Sequence, residues 1–335
     1  IPLILKGVTC NRKVLNYKMV TSLQETHKPP PKEPIHLKSK LCSFNHVSDF
    51  CIHSGALWVR PRNDLKTDWQ LLYFNRFARD SQPVEIQADG ANLMVLDSQK
   101  MIHYKKVLVE KRTKDGSYSC QDISRKDNWT SAWYSFPLLR RFYHLFAPFR
   151  LKLPENTESW AISHRGKYNR YFEDSTGKKH PEFAMVTTIY VLPKERDKIY
   201  YADPYLTRGF RHTIDLPKSG FRADRLAASA STMLLMGKEN GRTVFYTRLA
   251  DFDTLGKNPF LPGFYSKKAG SSREWVRQPE INLQGQATIG NEMTIFQCGE
   301  GNAGRTLRVE GTNAEGKKGY YEKGIAEPAW HFFIT

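Results

Sequence analysis

The chain has 335 residues, of which 40% are hydrophobic and 13% aromatic, enough to build a core; this excludes global disorder. Lys and Arg number 51 against 34 Asp and Glu, a net charge of +17 and a pI near 9.6. Such a basic protein attracts polyanions (nucleic acid, anionic lipid head groups, acidic glycans or an acidic protein), yet no zinc-finger or RRM signature supports nucleic acid and no run is long enough for a transmembrane helix.

Residues 1–47 stand apart from residues 48–335, which read as one large β domain. Residues 14–23 read as a strand or short helix. Pro29-Pro30-Pro31-Lys32-Glu33-Pro34 is a stiff, extended linker, either a tether or a polyproline site for a protein partner. Residues 1–5 are too short for a signal-peptide core, and no initiator Met precedes them, so the chain reads as a processed or trimmed product. The expected state is soluble, cytoplasmic or exported. The five cysteines, Cys10, Cys42, Cys51, Cys120 and Cys298, are odd in number and contain no CxxC pair, which suits free thiols better than a disulfide framework or a zinc site. Cys42 and Cys51 are close enough in sequence to pair across a short loop.

Farther along, three segments share one form: an apolar run, a charged or Gly-containing turn, and a second run ending near Tyr. They are Asn92-Leu93-Met94-Val95-Leu96 with Met101-Ile102-His103-Tyr104, Thr188-Ile189-Tyr190-Val191-Leu192 with residues 198–203, and Thr232-Met233-Leu234-Leu235-Met236 with residues 243–248. These are hairpin signals. Ala56-Leu57-Trp58-Val59 with residues 69–74, and Met293-Thr294-Ile295-Phe296 with residues 306–309, fit more loosely. Trp160-Ala161-Ile162-Ser163 would begin a unit between Tyr104 and Tyr201. Residues 129–149 are dense in aromatics and read as an insertion, and residues 330–334 as a closing strand.

Tyr201 and Tyr246 stand 45 positions apart, and Tyr104 and Tyr201 stand 97 apart, about two such steps. Hairpins at a period of roughly 40–50 residues resemble the blades of a β-propeller. The resemblance covers residues 48–334 and rests on spacing and hairpin character; no specific family is matched. It implies an all-β fold of about five or six blades, with residues 1–5 or 35–37 completing the last blade and closing the ring. A β-sandwich with similar hairpins is the alternative.

Two loops are rich in polar chemistry. Residues 163–174 offer His164, Arg165, Tyr168, Asn169, Glu173 and Asp174. These are cations that hold anions, carboxylates that hold metals or move protons, and aromatics that stack on sugar rings or bases. Residues 203–212 add Arg208, Arg211 and His212. Asp203 follows its strand at the position where Asp251 and Asp253 follow theirs, so in a radial repeat these carboxylates would share one face. They are candidate ligands for a divalent cation, calcium or magnesium, or an acid/base pair. Solvated turns with self-capping aspartates are the plainer explanation. Neither HExxH, an EF-hand, a phosphate loop nor a GxSxG elbow is present. Three functions fit: a binding propeller holding a polar or anionic ligand (a carbohydrate or another polyanion), a hydrolase using axial carboxylates, or a protein-interaction scaffold.

Overall fold

Apolar runs broken by Gly- and Asn-containing turns dictate antiparallel strand pairs. Ser54-Gly55 and Asn240-Gly241 adopt positive φ at both positions, the geometry of a two-residue hairpin turn whose twist matches its strands. The computed structural model describes residues 27–72, 81–112, 118–122, 129–130, 152–173, 177, 179–202, 210, 212–230, 232–249, 274–297 and 305–335; every helix-or-strand element among them is a strand.

Twenty of these strands form five four-stranded antiparallel sheets. Blade 1 comprises β1 (Cys42–Phe44), β2 (Ser48–His53), β3 (Ala56–Pro61) and β4 (Gln70–Leu72). Blade 2 comprises β5 (Pro83–Asp89), β6 (Asn92–Asp97), β7 (Ile102–Lys106) and, after a separate hairpin of β8 (Leu108–Arg112) and β9 (Tyr118–Asp122), the outer strand β10 (Trp129–Thr130). Blade 3 is β11 (Thr157–Glu173), β12 (Lys179–Pro193), β13 (Lys198–Ala202) and β14 (His212–Asp215). Blade 4 is β15 (Arg222–Ser229), β16 (Thr232–Glu239), β17 (Arg242–Leu249) and β18 (Val276–Arg277). Blade 5 is β19 (Thr288–Gln297), β20 (Arg305–Thr312), β21 (Lys318–Gly324) and β22 (His331–Ile334). The first strand of each sheet contacts the first strand of the next, β1 with β5, β5 with β11, β11 with β15 and β15 with β19, so these strands surround an axis. The fold is a five-bladed β-propeller.

In blades 2, 3 and 4 the blade portions of the second strands are buried along both faces, which is why their sequences are apolar runs without alternation. Each face packs on a neighbouring blade. Phe50, Leu57 and Val59 meet Ile86, Leu93 and Val95 between blades 1 and 2. Met94 and Leu96 meet Trp160, Ile162 and Ile189 between blades 2 and 3. Tyr190 and Tyr201 meet Phe221, Met233 and Tyr246 between blades 3 and 4. Leu234 and Phe245 meet Ile295, Leu307 and Val309 between blades 4 and 5.

The three strongest hairpins are the second and third strands of blades 2, 3 and 4. The segment at Trp160 does not start an extra blade: it is β11, paired directly with the Thr188 run in blade 3. The long interval from Tyr104 to Tyr201 is therefore one enlarged blade step. Tyr104 and Tyr201 are third-strand residues facing the following blade, whereas Tyr246 faces the preceding one. Their near-even spacing does not reflect equivalent positions.

The boundary between blades 5 and 1 is chemically unlike the others. Phe44 meets Phe296 edge-on, the Arg308 guanidinium lies 4.3 Å from the Phe296 ring centre and 4.6 Å from that of Tyr320, and His36 stacks on Tyr320 at 5.4 Å. Residues 31–38 thread this seam without joining a sheet. Trp69 Nε1 donates to the Pro31 carbonyl (3.1 Å), Arg62 to the Ile35 carbonyl (2.9 Å) and Arg308 to the His36 carbonyl (3.1 Å). Blade 5 takes all four of its strands from the end of the chain. In blade 1, Cys42 and Cys51 are direct partners across β1 and β2 and are joined as a disulfide.

Candidate functional site

A buried charge network sits on the axis. Asp89 ends β5, and its carboxylate accepts from the His164 N–H of blade 3 (2.7 Å) and from Ser229 Oγ (2.7 Å) and the Ala230 N–H (2.9 Å) of blade 4. The Lys38 ammonium lies 4.0 Å away and donates to the Ala88 carbonyl (2.6 Å), while the Lys38 N–H donates to Thr294 Oγ1 of blade 5 (2.6 Å). One lysine and one aspartate thus touch blades 2 to 5, from a segment that leads into blade 1. Burial pulls the Lys38 pKa down, and Asp89 opposes that shift. The β5–β6 turn needs Gly90: φ is +51°, and a Cβ there would stand 2.6 Å from His164 Cδ2.

His164 is therefore held in the blade 2–blade 3 boundary. Its Nδ1 is 2.5 Å from Asn92 Nδ2 and 3.1 Å from Thr187 Oγ1, and Tyr104 donates to the other end of the same Asn92 amide. His212 lies on the outer strand β14, stacked on Tyr201 at 4.9 Å. The two histidines occupy the first and last strands of one sheet, about 14 Å apart at the usual strand spacing. The structure does not bring them together.

Arg165, Tyr168, Asn169 and Glu173 all lie on β11, beyond the part that belongs to the blade. The strands β11 and β12 run 17 and 15 residues, against 10 or fewer for the other strands. β12 pairs with β13 only from Ile189 to Val191. From Arg165 opposite Val186 to Glu173 opposite Lys179, the two long strands pair, among the described residues, only with each other. Asn169 falls at a slip in that ladder, between Tyr168 and Arg170. The result is a two-stranded arm. Asp174, Arg208, Arg211, Asp203, Asp251 and Asp253 lie outside the described residues, so the carboxylate face they were expected to form has no described geometry. The strand ends Ala202 and Leu249 that lead into those loops lie on the arm's side of the ring, since third strands run parallel to first strands.

No group of three or more His, Cys, Asp or Glu side chains that could hold a metal occurs among the described residues. One Ser-Asp-His trio is buried in blade 2: Ser81 Oγ and His103 Nε2 each lie 2.7 Å from the same Asp97 oxygen. The acid is in the middle, so the imidazole is not placed to take the hydroxyl proton, and Asp97 also caps its turn through the N–H groups of Gln99 and Met101.

Sequence reasoning passed over the axis. A small solvent-open cavity of about 60 Å³ lies on the side opposite the arm, walled by the first strands and residues 38–40. Glu158, Arg225 and Glu292 line it, and each follows the previous one by 67 residues. That recurrence of charge just ahead of an apolar run was the available signal. No helix among the described residues is long and apolar enough to cross a membrane.

No protein-family model matches the chain, and no curated protein matches it. Several solved structures resemble it at low identity. Human WBSCR16 is 8% identical over 89% of this chain and 68% of that one, with a TM-score of 0.38. YCF48 from Cyanidioschyzon merolae is 9% identical over 90% and 87%, with a TM-score of 0.37. Yeast RCC1 (Prp20), solved with Kap60, is 10% identical over 86% and 74%, also at 0.37.

Proposed function

We propose that this propeller is a binding module that holds an anionic polymer, a sulfated or otherwise acidic glycan, along the blade-3 arm. The observation that carries the reading is the arm itself. A two-stranded ribbon with both edges unpaired among the described residues gains little stability alone, and ribbons of this kind serve as templates for partners. Its sequence interleaves Arg165, Lys167, Arg170 and Lys179 with Tyr168, Tyr171 and Phe172, cations for sulfate or carboxylate and rings for sugar faces. The net charge of +17 supplies long-range attraction.

The test is heparin binding by the full chain across a salt series, set beside Arg165→Ala/Lys167→Ala/Arg170→Ala. The triple variant is expected to keep its melting temperature and to lose roughly tenfold or more in affinity at low salt. Its log-affinity against log-salt slope should fall by about one for each cation removed. An unchanged slope and affinity would remove the arm from the binding surface. Tighter binding to a neutral glycan than to heparin would move the reading from charge to ring stacking.

A further inference from the structure

Blade 1 holds residues 29–35 as a receptor holds a peptide. Trp69 Nε1 donates to the Pro31 carbonyl (3.1 Å), the Arg60 guanidinium to the Glu33 carbonyl, and Arg62 to the Ile35 carbonyl (2.9 Å). Side-chain donors thus meet every second carbonyl of this stretch. Among the described residues, no backbone–backbone hydrogen bond outside the sheets involves residues 28–37, and these residues belong to no strand. A groove that offers donors alone suits proline, which brings a carbonyl but no N–H. The segment carries Pro29, Pro30, Pro31 and Pro34; Pro30 is buried, while Pro29 and residues 31–34 are exposed.

The wall is held together without this segment. The buried Asp49 carboxylate accepts from Arg60 Nε (3.1 Å) and from Arg62, and the Arg60 guanidinium lies 4.3 Å from the Trp69 ring centre. Ile35 packs on the cluster of Cys51, Ala56, Trp58 and Trp69. Donors fixed in this way lose little freedom on binding. The present occupant does not exhaust them. Arg60 is fully buried, yet its Nη1 meets no acceptor, and the two guanidiniums share one carboxylate. A buried donor left over marks a missing partner. Residues 36–38 are fixed separately, by Arg308, Tyr320 and the axis, so residues 29–35 are the part that can leave.

We propose that this face of blade 1 is a docking groove for an extended, proline-rich segment of another protein, and that residues 29–35 fill it intramolecularly as a displaceable latch. The partner's carbonyls take the donors of Trp69, Arg60 and Arg62, and a further acceptor takes Arg60 Nη1. Because the latch is tethered beside the groove, it competes at a high effective concentration, and a partner must outbind it. The groove lies on blade 1 and does not depend on polyanion binding by the blade-3 arm.

The test is fluorescence anisotropy with a labelled peptide of residues 27–35, titrated with the full native chain and with the full chain carrying Pro31→Gly/Pro34→Gly. Both prolines are exposed, and glycine keeps the Pro31 carbonyl, so the ring should stay folded while the latch loses its preorganisation. The peptide should bind this loosened chain roughly tenfold more tightly than the native chain. Adding Trp69→Phe keeps a ring but removes the Nε1 donor, and should weaken binding about fivefold. If the double variant does not melt cooperatively, Pro34→Gly alone carries the comparison, with a smaller gain in the same direction. Equal affinities of native and loosened chains, no loss with Trp69→Phe, or no saturable binding would overturn the proposal. So would dimerisation of the loosened chain in light scattering, which would make the occupant a second copy.

Discussion

Asp89 and Lys38 share the axis, but their substitution has unequal consequences. The Asp89 carboxylate satisfies the donors of His164, Ser229 and Ala230 in two other blades and faces the buried Lys38 ammonium. Asp89→Ala strands all of them and leaves a buried cation uncompensated. Breaking a buried pair in this way costs about 3–5 kcal/mol. Lys38→Met removes the charge whose burial is unfavourable and leaves Asp89 with three donors, so it should cost clearly less. Chemical denaturation of both variants checks the order; equal losses would mean that the ion pair, not the hydrogen bonds, governs the axis. This asymmetry was not legible in sequence. Asp89 precedes Gly90 and reads as a turn former, and nothing local indicates that its oxygens serve residues 75 and 140 positions away.

The elements readable from sequence were those buried on both faces. Leu93 to Leu96, Ile189 to Leu192 and Met233 to Met236 lie between two blades, so each is a run of apolar residues that no amphipathic helix would show. The first strands were harder, because one face turns to the axis. Glu85, Gln87 and Arg225 interrupt the apolar signal there, and four-residue or shorter outer strands such as β10, β14 and β18 carry almost none. The arm also distorted the period. It lengthens the first two strands of blade 3, and together with the β8–β9 hairpin and the further residues that separate Tyr104 from β11 it made an interval that passed for an additional blade. Because the arm's strands pair only with each other among the described residues, replacing residues 166–184 by a short turn should leave the thermal midpoint nearly unchanged. A large drop in a melting scan would show instead that the ring depends on the arm.

At the scale of the whole molecule, side chains close the described ring, and residues 35–37 pass through the seam without pairing as a strand; residues 1–5 lie outside the described residues. His36 sits in that closure, stacked on Tyr320 and near Arg308, which is itself paired with Glu322; Arg62 and Asp49 face it from blade 1. Burial, then the charges of Arg308 and Arg62, lower its pKa below the usual 6.5, with Asp49 opposing. The unfolded chain therefore takes up the proton more readily. The contribution of neutral His36 is complete above pH 6.5 and declines as the pH falls through 6.5 towards the lower folded value. Melting temperatures at pH 7.5 and 5.5 should differ more in the native chain than in His36→Phe, which keeps the ring stack. An identical difference in the two proteins would exclude the seam as the pH-sensitive joint.

The hydrogen bond from Lys38 to Thr294 spans 256 positions. During synthesis four inter-blade cores form between neighbours in the chain, each as soon as its second blade is complete. The last boundary has no such partner at hand: His36 and Lys38 must wait for Tyr320, Arg308 and Thr294 until nearly the whole chain has been made. Closing so large a loop is entropically unfavourable and slow. Until then, the blade-1 aromatic Phe44, which meets Phe296 in the finished ring, lacks its partner, and this is the interval in which the nascent protein is most open to joining a second copy of itself.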